Sequence, residues 1–114
     1  KILLIGMAYK KNIDDIRESP SLDILYLLDK HKSKVEYFDS YIPDFMFNKL
    51  KKTSLDNLDS KVLKNFDAVI ILTDHSTVDY ELIKNNSKLI IDTRNVYPLN
   101  NDNHIYRLGV GKPE

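Results

Sequence analysis

The sequence predicts an α/β fold in which a mostly parallel sheet carries helices on both of its faces. Short aliphatic runs recur along the chain, and helical segments lie between successive runs. This alternation is typical of parallel sheets, because neighbouring parallel strands need a crossover connection that is usually a helix. The length of 114 residues and the 42% of hydrophobic residues are those of a single globular domain.

The first strand and the first helix lie on either side of a charged segment. Residues 2–5 are Ile-Leu-Leu-Ile, and a wholly aliphatic strand needs cover on both faces, so we expect it inside the sheet and not at an exposed edge. Gly6 ends this run. The helix is predicted to start at Ser19-Pro20, because serine caps the free amides of a first turn and proline fits the first helical position. Leucines at helical spacing extend it to about Lys32.

The rest of the chain continues the alternation. Four further runs predict strands, at residues 35–39, 68–73, 88–93 and 104–109. Two segments predict helices, at residues 59–66, where Asp59 is the cap, and at residues 78–85, before Asn86. Residues 40–50 are interpreted as a loop that contains a short helix.

Charge and cysteine content exclude several classes of protein. The 17 basic and 17 acidic residues cancel, so no overall field attracts nucleic acid or an anionic membrane, and the seven scattered tyrosines do not change that expectation. The absence of cysteine excludes disulfides, thiolate metal sites and cysteine nucleophiles within this chain, and it fits a cytoplasmic protein. No apolar run approaches the ~20 residues that span a bilayer. The chain begins inside an apolar run, so we expect it to be a piece of a longer protein.

The segment GMAYKKNIDDIRESPSLDI, residues 6–24, follows the first strand where a nucleotide-binding turn would stand. Ligands of parallel sheets bind beyond the carboxyl ends of the strands. Residues that follow strands are therefore the ones to consider, at 6–17, 39, 73–75 and 93–95. The segment holds one glycine, whereas a dinucleotide-binding fingerprint holds three, so Gly6 is equally consistent with a simple tight turn.

Two cations of this segment point to an anion. Lys10 and Arg17 suit phosphate or carboxylate, since arginine can bind such groups with two parallel hydrogen bonds. The segment also carries three acidic residues that could hold these cations in place, Asp14, Asp15 and Glu18. A solvated charged loop explains the same residues equally well, because exposed ion pairs contribute little.

Three more polar residues follow predicted strands at the same edge. Arg94 directly follows the fourth strand and emerges on the side of Lys10, which favours an anion site. Asp39 ends the second strand, where it is either a ribose-binding carboxylate or, as we favour, an aspartate that shapes a turn. His75 has no obvious acid partner, so we interpret it as a helix-entry or packing residue. The three histidines of the chain do not have the spacing of metal ligands.

These residues together resemble the C-terminal domain of the UDP-glucose/GDP-mannose dehydrogenase family. The segment at residues 6–24 is similar to the motif that opens that domain, and YFDSYIP, FDAVIILTDHS and LIIDTRN follow in the same order. The resemblance covers nearly the whole chain. The tyrosine of AYKKN and the ending DTRN are more similar to enzymes that oxidise UDP-N-acetylhexosamines than to UDP-glucose dehydrogenases.

The resemblance implies a division of labour between domains. In this family an N-terminal Rossmann domain binds NAD, a long central helix forms the dimer, and a C-terminal domain, a Rossmann-like three-layer sandwich, binds the UDP-sugar. The sugar C6 hydroxyl is oxidised to a carboxylate in two hydride transfers through a thioester on a cysteine of the central region. Residues 1–114 match only the C-terminal domain, so we expect the chain alone to be inactive and its parent to be a homodimer or a larger oligomer.

The same resemblance implies roles for four residues. Tyr9 and Lys10 match an aromatic-lysine pair that contacts the sugar-nucleotide, and Arg94 matches an arginine that also contacts the UDP-sugar. Arg17 matches an arginine that reaches the NAD bound in the other domain. The charges of the first loop are then expected to face outward and to complete an active site whose other half lies in another domain. No residue of this chain is expected to be catalytic.

The leading hypothesis is therefore the UDP-sugar-binding domain of an NAD-dependent dehydrogenase that makes precursors of surface polysaccharides. Its substrate is expected to be UDP-N-acetylglucosamine or UDP-N-acetylmannosamine. A UDP-glucose 6-dehydrogenase domain and a non-catalytic nucleotide-binding regulatory module remain as alternatives. A structural domain with a vestigial site is a further alternative, and it would require the side chains of Lys10, Arg17 and Arg94 to diverge in space.

Overall fold

The computed structural model describes residues 1–12, 14–17, 19–98 and 102–108. Its strands are β1 (Ile2–Ile5), β2 (Val35–Phe38), β3 (Asp44–Phe47), β4 (Leu50–Thr53), β5 (Ala68–Ile71), β6 (Ile90–Asp92) and β7 (Ile105–Arg107). Its helices are α1 (Pro20–Lys30), α2 (Ser60–Leu63) and α3 (Tyr80–Asn86). Five strands form one parallel sheet in the order β2-β1-β5-β6-β7, and β3 pairs with β4 in a separate antiparallel hairpin.

Apolar layers cover both faces of the parallel sheet. Along β1, Leu4 belongs to the layer that contains Leu25 of α1, whereas Leu3 and Ile5 belong to the layer formed with α2 and α3. These three residues of β1 are fully buried, and β1 itself lies between β2 and β5. The predictions of a Rossmann-like three-layer sandwich and of an interior first strand are therefore confirmed.

The strand order places a crevice at one edge of the sheet. From β1 the chain moves outward to β2, and it later returns to the other side of β1 to form β5 and β6. The connection after β1 therefore leads towards β2, and the connection after β5 leads the opposite way, towards β6. The strand order reverses between β1 and β5. Crevices at such points are the usual ligand sites of parallel sheets.

The β3–β4 hairpin was not expected, and the prediction of a loop with a short helix at residues 40–50 is wrong. The two phenylalanines of β3 are partly buried, and the residues that precede each of them are exposed, which is the two-residue period of a strand. Asn48 and Lys49 both have positive φ angles, of 51° and 67°, as a two-residue type I′ turn requires. The ring of Phe45 lies 5.3 Å from that of Tyr37, between centroids, and so attaches the hairpin to the sheet.

Most other elements are shorter than predicted at their ends. α2 is a single turn, and β5 and β6 each lose terminal residues to the connections that follow or precede them. The last strand was predicted to reach residue 109, which lies outside the described residues. Within the described ranges, no helix is long and apolar enough to cross a membrane.

Helix α1 has the predicted start, and a residue with a left-handed backbone angle follows its end. The hydroxyl of Ser19 accepts a hydrogen bond from the amide of Ser21, at 3.1 Å, and Pro20 occupies the first helical position. At the other end, the amide of Ser33 donates to the carbonyl of Leu28 at 3.0 Å, which closes a Schellman motif. Lys32 occupies the left-handed position of that motif with a φ of 64°.

Replacing Lys32 with glycine should stabilise the protein. A side chain with a Cβ is strained at positive φ, and Lys32 is exposed, so its removal loses no packing. We expect Lys32→Gly to raise the free energy of unfolding by about 0.5–1 kcal/mol, measured by urea denaturation. Lys32→Ala keeps the Cβ and is the matched control, for which no such gain is expected. An equal gain in both variants would show that the lost charge, and not the backbone, is responsible.

Candidate functional site

An open cleft of about 460 Å³ lies beyond the carboxyl ends of β1, β5 and β6. Six residues line it, namely Lys10, Lys11, Asp74, Thr93, Arg94 and Asn95. The cleft thus occupies the crevice at the reversal of strand order. Three cations and one carboxylate give it a local positive charge within a chain whose formal charge is zero. Such a cleft suits an anion that carries more than one negative charge.

The loop between β1 and α1, residues 6–19, begins on the buried carboxylate of Asp39. This aspartate directly follows β2 and is fully buried. Its Oδ2 accepts hydrogen bonds from the amides of Met7 at 2.7 Å and Ala8 at 2.9 Å, and its Oδ1 accepts from the amide of Tyr41 at 2.8 Å. Asp39 is therefore the turn-shaping residue that we favoured, and its burial keeps the carboxylate away from any ribose.

His75 holds the same loop at a second point. Its Nε2 lies 2.9 Å from Oδ2 of Asp39, so the expectation that it lacks an acid partner is wrong. Its Nδ1 lies 2.6 Å from the backbone nitrogen of Asn12. With 1% of its surface exposed, His75 is also the packing residue that the sequence suggested, and its ring lies 4.6 Å from that of Tyr41, between centroids.

Two hydroxyl groups, one after β5 and one at the end of the loop itself, hold the carbonyl group of Ala8. The hydroxyl of Thr73 donates to it at 2.9 Å, and that of Ser19 at 3.3 Å. Gly6 makes the close approach of this loop to Thr73 possible. Its φ is 100°, and an added Cβ would lie 2.6 Å from the backbone nitrogen of Thr73. The single glycine of the turn is thus required by its backbone angle and by its neighbour.

The other side of the cleft is built on a second buried carboxylate. Asp92 ends β6 and is fully buried. Its Oδ1 accepts from the amides of Arg94 at 3.0 Å and Val96 at 3.1 Å, and its Oδ2 accepts from the amide of Tyr97 at 3.0 Å. These bonds curl the segment after β6 so that Arg94 lines the cleft, where its Nε lies 3.5 Å from Oδ1 of Asp74.

Arg17 is not among the residues that line the cleft. Its guanidinium binds the carboxylate of Asp15 through two atoms, with Nε 3.1 Å from Oδ1 and Nη2 3.0 Å from Oδ2. The hydrogen bond from the Arg17 side chain lowers the pKa of the Asp15 carboxyl, and the Arg17 amide, which also binds Oδ1, acts in the same direction. The Arg17 side chain is 86% exposed, so it is pinned locally but faces solvent.

The structure brings two of the four predicted site residues together. Lys10 and Arg94 line one cleft, whereas Tyr9 and Arg17 are exposed elsewhere on the β1–α1 loop, where the amide of Tyr9 donates to the carbonyl of Asp15. The sequence pointed to the right strand ends but did not single out four further lining residues, namely Lys11, Asp74, Thr93 and Asn95. Glu18, expected to help hold the cations, lies outside the described residues.

The chain is similar to known UDP-sugar dehydrogenases. Residues 3–99 match the sequence model of the UDP-glucose/GDP-mannose dehydrogenase family, UDP binding domain. A UDP-N-acetyl-D-mannosamine dehydrogenase of Methanocaldococcus jannaschii is 34% identical over 84% of this chain and 23% of its own length. A UDP-glucose 6-dehydrogenase of Rhizobium meliloti is 29% identical over 85% of this chain and 23% of its own length.

The fold is also similar to that of a UDP-sugar dehydrogenase of known structure. The structure of a UDP-D-ManNAc dehydrogenase from Pyrococcus horikoshii has a TM-score of 0.72 and 30% identity to this chain, and the match covers 95% of this chain and 25% of that one. The chain therefore spans about a quarter of the length of the proteins that it matches.

Replacing Gly6 with alanine should disrupt the β1–α1 loop. The variant combines an unfavourable backbone angle with a clash against the backbone of Thr73. We expect a loss of roughly 2–5 kcal/mol in the free energy of unfolding, measured by urea denaturation. A Gly6→Ala variant as stable as the parent would mean that the loop can move away from β5 at little cost, contrary to the hydrogen bonds that hold Ala8.

Proposed function

The chain belongs to the UDP-glucose/GDP-mannose dehydrogenase family, and we propose that it is the C-terminal, UDP-sugar-binding domain of a larger NAD-dependent dehydrogenase. That enzyme oxidises the C6 hydroxyl of a UDP-hexose to the carboxylate of a uronic acid. In this proposal residues 1–114 bind the substrate, while an NAD-binding domain and a central helical domain with the nucleophilic cysteine belong to the rest of the parent chain. The product is a precursor for surface polysaccharide in the cytoplasm, and the parent enzyme is a homodimer or a larger oligomer.

The proposal depends chiefly on the cleft that Lys10 and Arg94 share. A UDP-sugar presents two linked phosphates with about two negative charges, and Lys11 adds a third cation at the same place. Asn95 and Asp74 add polar groups able to bind the hydroxyl or amide groups of a nucleotide or a sugar. A vestigial site would require the side chains of Lys10, Arg17 and Arg94 to diverge. Arg17 does lie apart from the cleft, but the convergence of Lys10 and Arg94 favours a binding site.

The turn after β1 does not fit the pyrophosphate of NAD. In a dinucleotide-binding turn the first amides of the loop face the phosphates. Here the amides of Met7 and Ala8 donate to the buried carboxylate of Asp39, and the turn has Gly6 as its only glycine. This arrangement supports a parent enzyme in which NAD binds to a different domain.

The substrate is proposed to be a UDP-N-acetylhexosamine. Relatives named UDP-N-acetyl-D-mannosamine dehydrogenase, such as that of M. jannaschii, favour UDP-N-acetylmannosamine, with UDP-N-acetylglucosamine as a close alternative. The relative from R. meliloti keeps UDP-glucose as a second candidate. The parent enzyme, assayed for NADH production with each of the three UDP-sugars, identifies the substrate, and no NADH with any of them would favour a regulatory module.

The chain itself should bind UDP through the cleft. We expect weak binding, with a Kd on the order of millimolar because the rest of the parent is missing, and no NADH formation. Lys10→Ala and Arg94→Ala should each raise the Kd roughly ten- to a hundredfold in an NMR titration with UDP, through loss of a charge-assisted hydrogen bond. Lys88→Ala is the control, because Lys88 precedes β6 and lies at the opposite edge of the sheet. A Kd that none of these changes alters would place the UDP site elsewhere.

In the full-length parent, the two cations of the β1–α1 loop should have separable effects. Lys10→Ala is expected to raise the KM for the UDP-sugar roughly ten- to a hundredfold and to leave the KM for NAD nearly unchanged. Arg17→Ala is expected to act mainly on the KM for NAD, because Arg17 does not line the cleft and its side chain is exposed.

A structural role of Arg17 gives a different result. If the pair with Asp15 only shapes the loop, Arg17→Ala impairs both substrates together and lowers the Tm. Equal effects of the Lys10 and Arg17 substitutions on both substrates, without loss of stability, would contradict both assignments.

A further inference from the structure

We propose that His75 is a positioning residue for the UDP-sugar cleft, acting through the bond between its Nδ1 and the amide of Asn12. The inference rests on the proposed function, since it concerns the same cleft. In this role, the buried ring of His75 holds the part of the β1–α1 loop that carries Lys10 and Lys11, which line the cleft together with Arg94.

The hydrogen bonds of His75 fix which ring nitrogen carries the proton. The backbone nitrogen of Asn12 can only donate, so Nδ1 of His75, 2.6 Å away, must be the unprotonated acceptor. Nε2 then carries the proton and donates to Oδ2 of Asp39 at 2.9 Å. The ring thus joins the carboxylate that receives the start of the loop to the amide of a residue further along it.

Asn12 is held twice by the segment that follows β5. Besides the bond from its amide to His75, its side-chain oxygen accepts from the amide of Ser76 at 2.9 Å and from the hydroxyl of Ser76 at 3.2 Å. Asn12 has a φ of 60°, a left-handed angle that asparagine tolerates better than most residues. The position of Asn12 is therefore set by contacts with residues 75–76 and not by its own backbone preference.

The lysines of the cleft lie between two fixed points of the loop. Met7 and Ala8 are held by Asp39, and Asn12 is held by His75. Only three residues separate these points, and two of them are Lys10 and Lys11, whose side chains are exposed in the cleft. Their own contacts do not explain their placement, because within the part of the chain that the structure describes neither lysine side chain makes a hydrogen bond or an ion pair. The two anchors therefore preorganise the backbone that carries the lysines for binding a phosphate group.

A buried histidine also supports the fold, so the test must separate positioning from stability. The ring packs against Tyr41, and every substitution loses that contact. His75→Asn and His75→Gln differ in which ring nitrogen they imitate. Asparagine places its amide oxygen near the position of Nδ1, where it can accept from Asn12, whereas glutamine places its amide nitrogen nearer to Nε2, where it can donate to Asp39.

The two variants are compared by UDP titration and by thermal unfolding of the chain. Both are expected to lower the Tm. We expect His75→Gln to raise the Kd for UDP roughly tenfold or more, because the Asn12 amide loses its acceptor, only the Ser76 bonds then hold Asn12, and the two lysines become less ordered. His75→Asn should rescue binding to within about threefold of the parent. Equal Kd changes in both variants, or an unchanged Kd in His75→Gln, would overturn the proposal.

A second measurement tests the bond to Asn12 without any ligand, and so independently of the proposed function. Hydrogen exchange of the Asn12 amide should be faster in His75→Gln than in His75→Asn, and this needs no ligand. If the unsubstituted 114-residue chain binds no UDP but the two variants differ in this exchange, the proposed function fails and the positioning of the loop by His75 stands. If His75→Gln does not fold, the bond is tested by NMR in the unsubstituted 114-residue chain. We expect a scalar coupling across the hydrogen bond between the Asn12 amide and Nδ1 of His75. Absence of that coupling would overturn the proposal.

Discussion

The buried carboxylate of Asp39 is the interaction on which the site depends. It lies at the end of β2, and it receives the first amides of the loop that leaves β1 together with Nε2 of His75. A buried charged group is costly unless its hydrogen bonds are satisfied, and these donors satisfy it. The carboxylate therefore takes the hydrogen bonds of loop amides that a dinucleotide-binding turn offers to a phosphate. A turn that has its own internal anion has no need of one from a cofactor.

Because the turn is closed in this way, its charges are directed outward. The side chains of Lys10 and Lys11 project from a backbone that is held at both ends, and Arg94 meets them from a segment held by Asp92. The cleft is thus polar at its surface and rigid at its base. In the function proposed here, such a cleft forms one side of a site that another domain completes; the chain itself spans about a quarter of the length of the relatives that it matches.

The sequence predicted those features that depend on short-range patterns. The aliphatic run of β1 indicated an interior strand, and Lys10 and Arg94 met because the carboxyl ends of parallel strands share one edge. The contact between Asp39 and His75 joins residues 36 positions apart. It depends on two strand registers, which pair Ile5 with Phe38 on one side and with Ile71 on the other and so place residues 39 and 75 around the start of the loop. No local pattern contains those registers.

The two loops of the cleft differ in how self-contained they are. The carboxylate that folds the segment after β6 lies within the segment, since Asp92 binds the amides of residues 94, 96 and 97. The β1–α1 loop instead takes its anchors from Asp39 and His75, which lie far away along the chain. Residues 92–97 therefore form a turn around their own carboxylate, and Thr93 and Tyr97 attach that turn to the carbonyl groups of Ile71 and Tyr80. The lysine loop has no carboxylate anchor of its own, so a chimaera that carries this loop must carry Asp39 and His75 as well.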